Sequence, residues 1–184
     1  MRARGVILSL GLLFAIAASL LRDSGAYEYY RYKTGNFPRA LVTQEIISTV
    51  RFFSATLSGF YATGGSLAGL NLFPAEKMVK RRIFQDIDRW KEKGELPVMD
   101  RDRSTFRKIT FLSPERAVAI VDESWFIVLQ NYTTRRQISG RKADFVTVRY
   151  FLKKMWGRWI IVDYEVYPQG EVPAPLPADR LFSW

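Results

Sequence analysis

The hydrophobic positions of this 184-residue chain follow two periods, one after the other. Over 41–62, Leu41, Val42, Ile46, Ile47, Val50, Phe53, Leu57 and Phe60 follow helical spacing, with Thr43, Glu45, Ser48 and Arg51 between them. That spacing predicts an amphipathic helix, which Gly64-Gly65 breaks. The short apolar run 66–73 reads as a corner between helices, and no Gly-Lys-Ser/Thr follows its glycines to make a phosphate loop. Pro74 then opens a second helix, with Glu76 in its first turn. Val79, Ile83, Ile87 and Trp90 form its apolar stripe, Gly94 closes it and Pro97 prevents resumption.

From Thr105 the period changes to two. Strands are predicted over 105–112 and 117–130, with a turn at 113–116 and a bend or bulge near Asp122-Glu123-Ser124. After a polar connection at 131–142, residues 143–167 alternate in two arms of a hairpin around Lys-Lys-Met-Trp-Gly-Arg. In the first arm Val146, Val148, Tyr150 and Leu152 oppose Phe145, Thr147, Arg149 and Phe151. In the second, Ile160, Val162, Tyr164 and Val166 form a wholly apolar face, and Trp159, Ile161, Asp163, Glu165 and Tyr167 form the other. Helices first and an antiparallel meander afterwards make an α+β domain, with helices packed on one face of a curved sheet.

The chain ends change the organisation. Behind Arg2 and Arg4, residues 5–21 carry no charge. The segment is either a membrane anchor, just long enough to span a bilayer, or a signal peptide cleaved near Ser24-Gly25-Ala26. The arginines hold the N-terminus in the cytoplasm, so both readings export the remainder. The layout is then 1–26 anchor or signal, 27–40 a basic Tyr-rich linker, 41–167 the α+β domain and 168–184 a Pro-rich tail. The tail's Leu181-Phe182-Ser183-Trp184 end is expected either to dock on the domain or a partner, or to fray.

Composition narrows the chemistry. The chain lacks cysteine, which excludes disulfides, thiolate metal sites and a lipoprotein anchor. It also lacks histidine, which removes the commonest general base, the Ser-His and Cys-His pairs and most catalytic zinc sites. Catalysis is therefore not expected, and neither a cofactor nor a metal is. A net charge of +10 favours anionic surfaces, lipid headgroups above all, with plain solubility as the alternative. The basic dipeptides Arg81-Arg82, Arg107-Lys108, Arg135-Arg136 and Arg141-Lys142 are scattered and accompany no nucleic-acid motif, so nucleic acid is not an expected partner.

The last strand pair, with Gly157-Arg158-Trp159 followed by Ile160-Ile161-Val162-Asp163, resembles the closing hairpin of the nuclear transport factor 2-like (cystatin-like) superfamily. The resemblance spans about 41–167 and implies a cone-shaped domain that can hold an apolar ligand between sheet and helices. With the N-terminal segment added, the layout is similar to the VirB8 family of type IV secretion components. That implies a bacterial inner-membrane protein, single-pass, with its globular domain in the periplasm; after cleavage it would be periplasmic or secreted.

Two functions are expected from these readings. One is a noncatalytic scaffold or assembly subunit of a cell-envelope complex, touching protein partners and anionic lipid. Its candidate surface is Lys80, Arg81, Arg82 and Arg89 on the second helix with Phe145, Phe151, Trp159 and Tyr167 on the sheet. The competing use of those aromatics is packing beneath the helices. The other function is binding of a small apolar ligand or lipid, or isomerase-like chemistry on carboxylates. Its candidate pocket is Asp122, Asp163 and Glu165 with Arg149 and Tyr150. The competing use here is a cross-strand ion pair between Arg149 and Glu165 or Asp163.

Overall fold

In the computed structural model, which describes residues 25–66, 70–171 and 174–175, three helices precede four strands. They are α1 (Gly25–Lys33), α2 (Arg39–Thr63), α3 (Lys77–Glu92), β1 (Glu95–Ser113), β2 (Arg116–Asn131), β3 (Lys142–Met155) and β4 (Arg158–Pro168). The uncharged segment 5–21 and the tail end 181–184 lie outside the described residues. None of the described helices is long and apolar enough to cross a membrane.

Helix α2 is the spine of the helical layer. Val42, Ile46, Val50, Phe53, Ser54, Phe60 and Tyr61 are its buried residues, so one stripe runs along all 25 residues. Gly64 takes a left-handed conformation, and the Gly65 N–H reaches back to the Phe60 carbonyl at 2.8 Å, closing the helix. A side chain on Gly65 would meet the Phe84 ring at 3.3 Å, so α3 packs against the glycine corner. Helix α3 buries Val79, Ile83 and Ile87, the predicted stripe. Its start differs from the expectation. Pro74 does not open the helix: its carbonyl accepts from the Ile161 N–H at 2.8 Å, and the Glu76 N–H donates to the Ile161 carbonyl at 2.9 Å. Residues 74–76 are thus pinned to the edge of β4 before α3 begins.

The sheet is antiparallel in the order β1-β2-β3-β4, each strand paired with the next. The expected class, helices on one face of a curved antiparallel sheet, is the fold found. Strand β1 starts ten residues before the predicted Thr105, at Glu95. Pro97 is accommodated because β1 is an edge strand, where a missing N–H leaves no ladder bond unmade. The irregularity expected at Asp122–Ser124 resides in the partner strand. The register of β1 slips between Arg101 and Arg103, Phe106 and Lys108, and Phe111 and Ser113, and each slip adds twist.

One further slip reassigns the faces of β4. Phe151 pairs with Asp163 but Leu152 pairs with Ile161, so Val162 is an extra residue. The alternation therefore changes phase there. Trp159, Ile161 and Tyr164 face the helices, whereas Ile160 and Val162 join Val118 and Phe151 in a small cluster on the opposite face. The wholly apolar face expected for Ile160, Val162, Tyr164 and Val166 does not exist as one surface, and Val166 is exposed.

Residues 27–40, read from the sequence as a linker, are helical to Lys33. Tyr32 donates its hydroxyl to the Phe111 carbonyl at 3.1 Å, and Phe37 is buried edge-on to both Tyr32 and Phe111.

Ile161 is fully buried at the junction of β4, α3 and the pinned segment. Ile161→Ala is expected to lower unfolding stability by about 2–5 kcal/mol, read as a fall in the denaturant midpoint without a change in slope.

Candidate functional site

On β2 the residues facing the helices are Ala117, Ala119, Val121, Glu123 and Trp125. Period two thus carries a carboxylate into the core between two apolar side chains. Glu123 is 3% exposed. Its Oε1 receives the Tyr150 hydroxyl at 3.0 Å and lies 3.3 Å from Ser54 Oγ, and its Oε2 receives the Trp125 indole N–H at 3.0 Å. Ser54 comes from α2, Tyr150 from β3 and Trp125 from β2, so the cluster joins the helical layer to two strands.

Ser54 shares its one hydroxyl hydrogen between the Val50 carbonyl at 3.0 Å and Glu123 Oε1 at 3.3 Å, and its oxygen lies 3.5 Å from the Tyr150 hydroxyl. Burial raises the Glu123 pKa; the bonds from Tyr150, Trp125 and Ser54 and the charge of Arg101 oppose that rise without cancelling it. Burial and the neighbouring carboxylate also push the Tyr150 phenol well above its ordinary value. Arg101, opposite Trp125 on β1, donates through Nη2 to the Arg51 carbonyl at 3.5 Å. Its Nη1 is buried with no hydrogen-bond partner among the described residues.

The pocket inferred from the sequence is not assembled. Tyr150 faces the helices, but Asp122, Arg149 and Glu165 lie on the opposite face. Asp122 accepts from Thr147 at 2.7 Å and pairs with Arg107. Arg149, 6% exposed, pairs with Glu165 at 3.3 Å, its direct neighbour across the hairpin. This is the ion pair weighed against a pocket. Asp163 sits at the β4 edge and binds Arg82 of α3 at 2.9 Å. Glu123, rather than the expected Asp122, is the carboxylate that enters the core. Its parity with Val121 and Trp125 was the available signal.

The proposed contact surface also divides. Phe151 and Trp159 are buried, whereas Phe145 is half exposed. Tyr167 is partly covered, donates to Glu165 at 2.6 Å and lies under the Arg149 guanidinium. Arg82 braces α3 against β4, stacked 4.4 Å from the Tyr164 ring. Lys80 donates to the Leu70 carbonyl at 2.9 Å, and its burial lowers its pKa. Arg81 and Arg89 are exposed, the latter 3.6 Å from Asp86.

A different surface gathers at the β3–β4 turn. Two adjoining grooves, of about 450 and 610 Å³, share Leu72, Pro74, Arg158 and Trp159. Phe52 borders one and Trp156 the other. Trp156 and Gly157 form a two-residue turn with φ of 49° and 76°, which projects the indole into solvent, 92% exposed.

Among solved structures, the chain is similar to the intermembrane-space region of the chloroplast protein ARC6. The identity is 11% over 66% of this chain and 92% of that one, with a TM-score of 0.56. The two share a fold. At this identity the likeness extends no further than that. An NTF2-like protein with a cystatin-like fold from Novosphingobium aromaticivorans aligns over 82% of this chain and 97% of its own, at 16% identity and a TM-score of 0.45. A cystatin-like protein from Nostoc punctiforme aligns over 73% and 96%, at 12% identity and a TM-score of 0.34. No family model and no curated protein matches the chain.

The raised Glu123 pKa has a signed consequence. As pH rises above the ordinary glutamate range, the unfolded chain releases this proton while the folded chain retains it. Stability from this group therefore falls with pH until the folded pKa is passed. Glu123→Gln keeps the neutral shape and removes the titration. The wild-type minus variant difference in melting temperature, followed from about pH 4 to about pH 8, is expected to decline with pH. A difference that rises with pH would mean that the carboxylate is held ionised.

Proposed function

We propose that the chain is a noncatalytic assembly module of a cell-envelope complex, membrane-anchored or exported, that binds protein partners through the rim of its β3–β4 turn. The observation that carries this reading is the exposure there of Phe52, Leu72 and Trp156, at 47, 68 and 92%, around two shallow grooves. Large apolar side chains gathered beside concave surface mark contact sites on soluble domains. The core supports the same reading. The space between α2 and the sheet is occupied by Phe53, stacked 4.9 Å from Phe73 and edge-on to Tyr150 and Tyr164. The envelope address rests on the uncharged segment 5–21 behind two arginines. The fold shared with an ARC6 region named for an intermembrane space is in keeping with it. Exposed Lys77 and Arg81 on α3 suit an anionic headgroup layer nearby.

The ligand-binding reading has one observation in its favour, the buried Glu123–Tyr150 pair. A desolvated carboxyl whose pKa is raised, beside a phenol, is the raw material of general acid chemistry. In that reading Glu123 would act in place of Asp163 or Glu165.

The two readings respond to different substitutions. Leu72→Asp with Trp156→Asp is expected to abolish the discrete cross-linked species formed by the full chain in native envelope membranes. The melting temperature should stay near wild type, since both side chains are exposed. Loss of each anchor is expected to weaken capture by at least about tenfold. Unchanged cross-linking in that variant, combined with loss of apolar-probe binding in Glu123→Gln, would favour the ligand reading.

A further inference from the structure

Trp159 is a wall that the two grooves at the β3–β4 turn share. It is 4% exposed, and its indole N–H is buried with no hydrogen-bond partner among the described residues. Folding normally pairs such a donor with protein or water. One left over is a standing cost that an incoming acceptor removes.

The charge around the larger groove is one-sided. Lys77, Lys80 and Arg158 line it against a single carboxylate, Glu76. Elsewhere on α3 the cations are matched: Arg82, Arg89 and Lys91 each have an aspartate. Lys77 and Arg158 are exposed and enter no ion pair among the described residues. Lys80 is partly buried, and its ammonium meets only neutral groups, the Leu70 carbonyl at 2.9 Å and the Phe73 ring at 6.0 Å. An unmatched positive rim attracts a negatively charged partner and rejects a positive one.

We infer that the rim takes an extended segment of a protein partner, rich in acidic and apolar side chains, laid across Trp159. Its carboxylates meet Lys77 and Arg158, its apolar side chains enter the two grooves, and a backbone carbonyl accepts from the Trp159 indole. This rests on the assembly reading and adds the chemistry of the partner. Successive side chains of an extended segment point to opposite sides, and carbonyls recur along its length. That suits two grooves that share one unpaired donor. A lipid concentrates its charge and its acceptors at the head, whereas here the cations and the donor are distributed over two grooves.

Two measurements on the full chain test this. In native envelope membranes, Lys77→Glu with Arg158→Glu is expected to lower the yield of the cross-linked species at least about tenfold, whereas Lys77→Arg with Arg158→Lys retains it. Both positions are exposed, so the melting temperature should stay near wild type. Separately, a phage-displayed library of random peptides is expected to enrich sequences with Asp or Glu beside Leu or Phe. Adding one such peptide should move the Trp159 indole N–H resonance, assigned by its loss in Trp159→Phe, to lower field. If Leu72→Asp with Trp156→Asp abolishes the cross-linked species but charge reversal leaves it intact, the inference falls and the assembly reading stands. If neither variant changes it, both fall. Enrichment of basic peptides, or an indole resonance that does not move, would overturn the inference. With no peptide enriched, it is overturned as well; binding to phosphatidylglycerol vesicles that charge reversal removes would then assign the rim to a membrane surface.

Discussion

A carboxylate buried between apolar neighbours has to find its hydrogen bonds inside the protein, and that requirement fixes how the two layers of this domain meet. Glu123 is satisfied by Ser54 from α2, Tyr150 from β3 and Trp125 from its own strand. Sliding α2 by one turn would remove Ser54 and return its hydroxyl to Val50 alone. Hydrophobic contacts between Val50, Phe53, Val121 and Val148 stabilise the stack but tolerate small displacements. The polar cluster does not, because a buried group left unpaired costs about 1–3 kcal/mol. The braces at the periphery act in the same sense: Tyr61 to Asp86 at 2.6 Å between α2 and α3, and Arg82 to Asp163 between α3 and β4.

Much of this architecture is legible in the residues. The stripe from Val42 to Phe60 and the one from Val79 to Ile87 specify both helices, and the turn chemistry at Gly157 places the last hairpin. What the periodicity could not convey is where it slips. A single extra residue at Val162 exchanges the faces of β4, so Ile161 rather than Val162 faces the helices. Whether a strand holds a bulge depends on its partner's register, which local patterning does not encode. The start of β1 was hidden for a related reason: Pro97 argues against a strand unless the strand is known to lie at an edge. The site was half visible. Parity alone places Glu123 with Val121 and Trp125, but Ser54 lies 69 residues away, and only the packing of α2 reveals it.

The functional reading follows from how the surfaces are used. The inner face is filled by aromatic rings and a satisfied carboxyl. The outer face holds charge pairs, Arg149 with Glu165 and Arg107 with Asp122, beside an apolar cluster. Exposed Phe52, Leu72 and Trp156 gather instead beside the two grooves at the Trp156-Gly157 turn. Of the basic residues on α3, Arg82 and Lys80 are engaged within the fold, and Lys77 and Arg81 remain on the surface. Under the proposed assembly role, such a module acts by position, with the apolar rim of the β3–β4 turn as its contact surface.

The most direct test of the account is the titration of Glu123 itself, followed through its side-chain carboxyl carbon by NMR in the folded protein. A midpoint above the ordinary glutamate value is the result expected of a carboxyl desolvated between the helices and the sheet. A midpoint at or below that value would show an ionised core carboxylate held by Arg101, and the account of how the cluster seats α2 on the sheet would be contradicted.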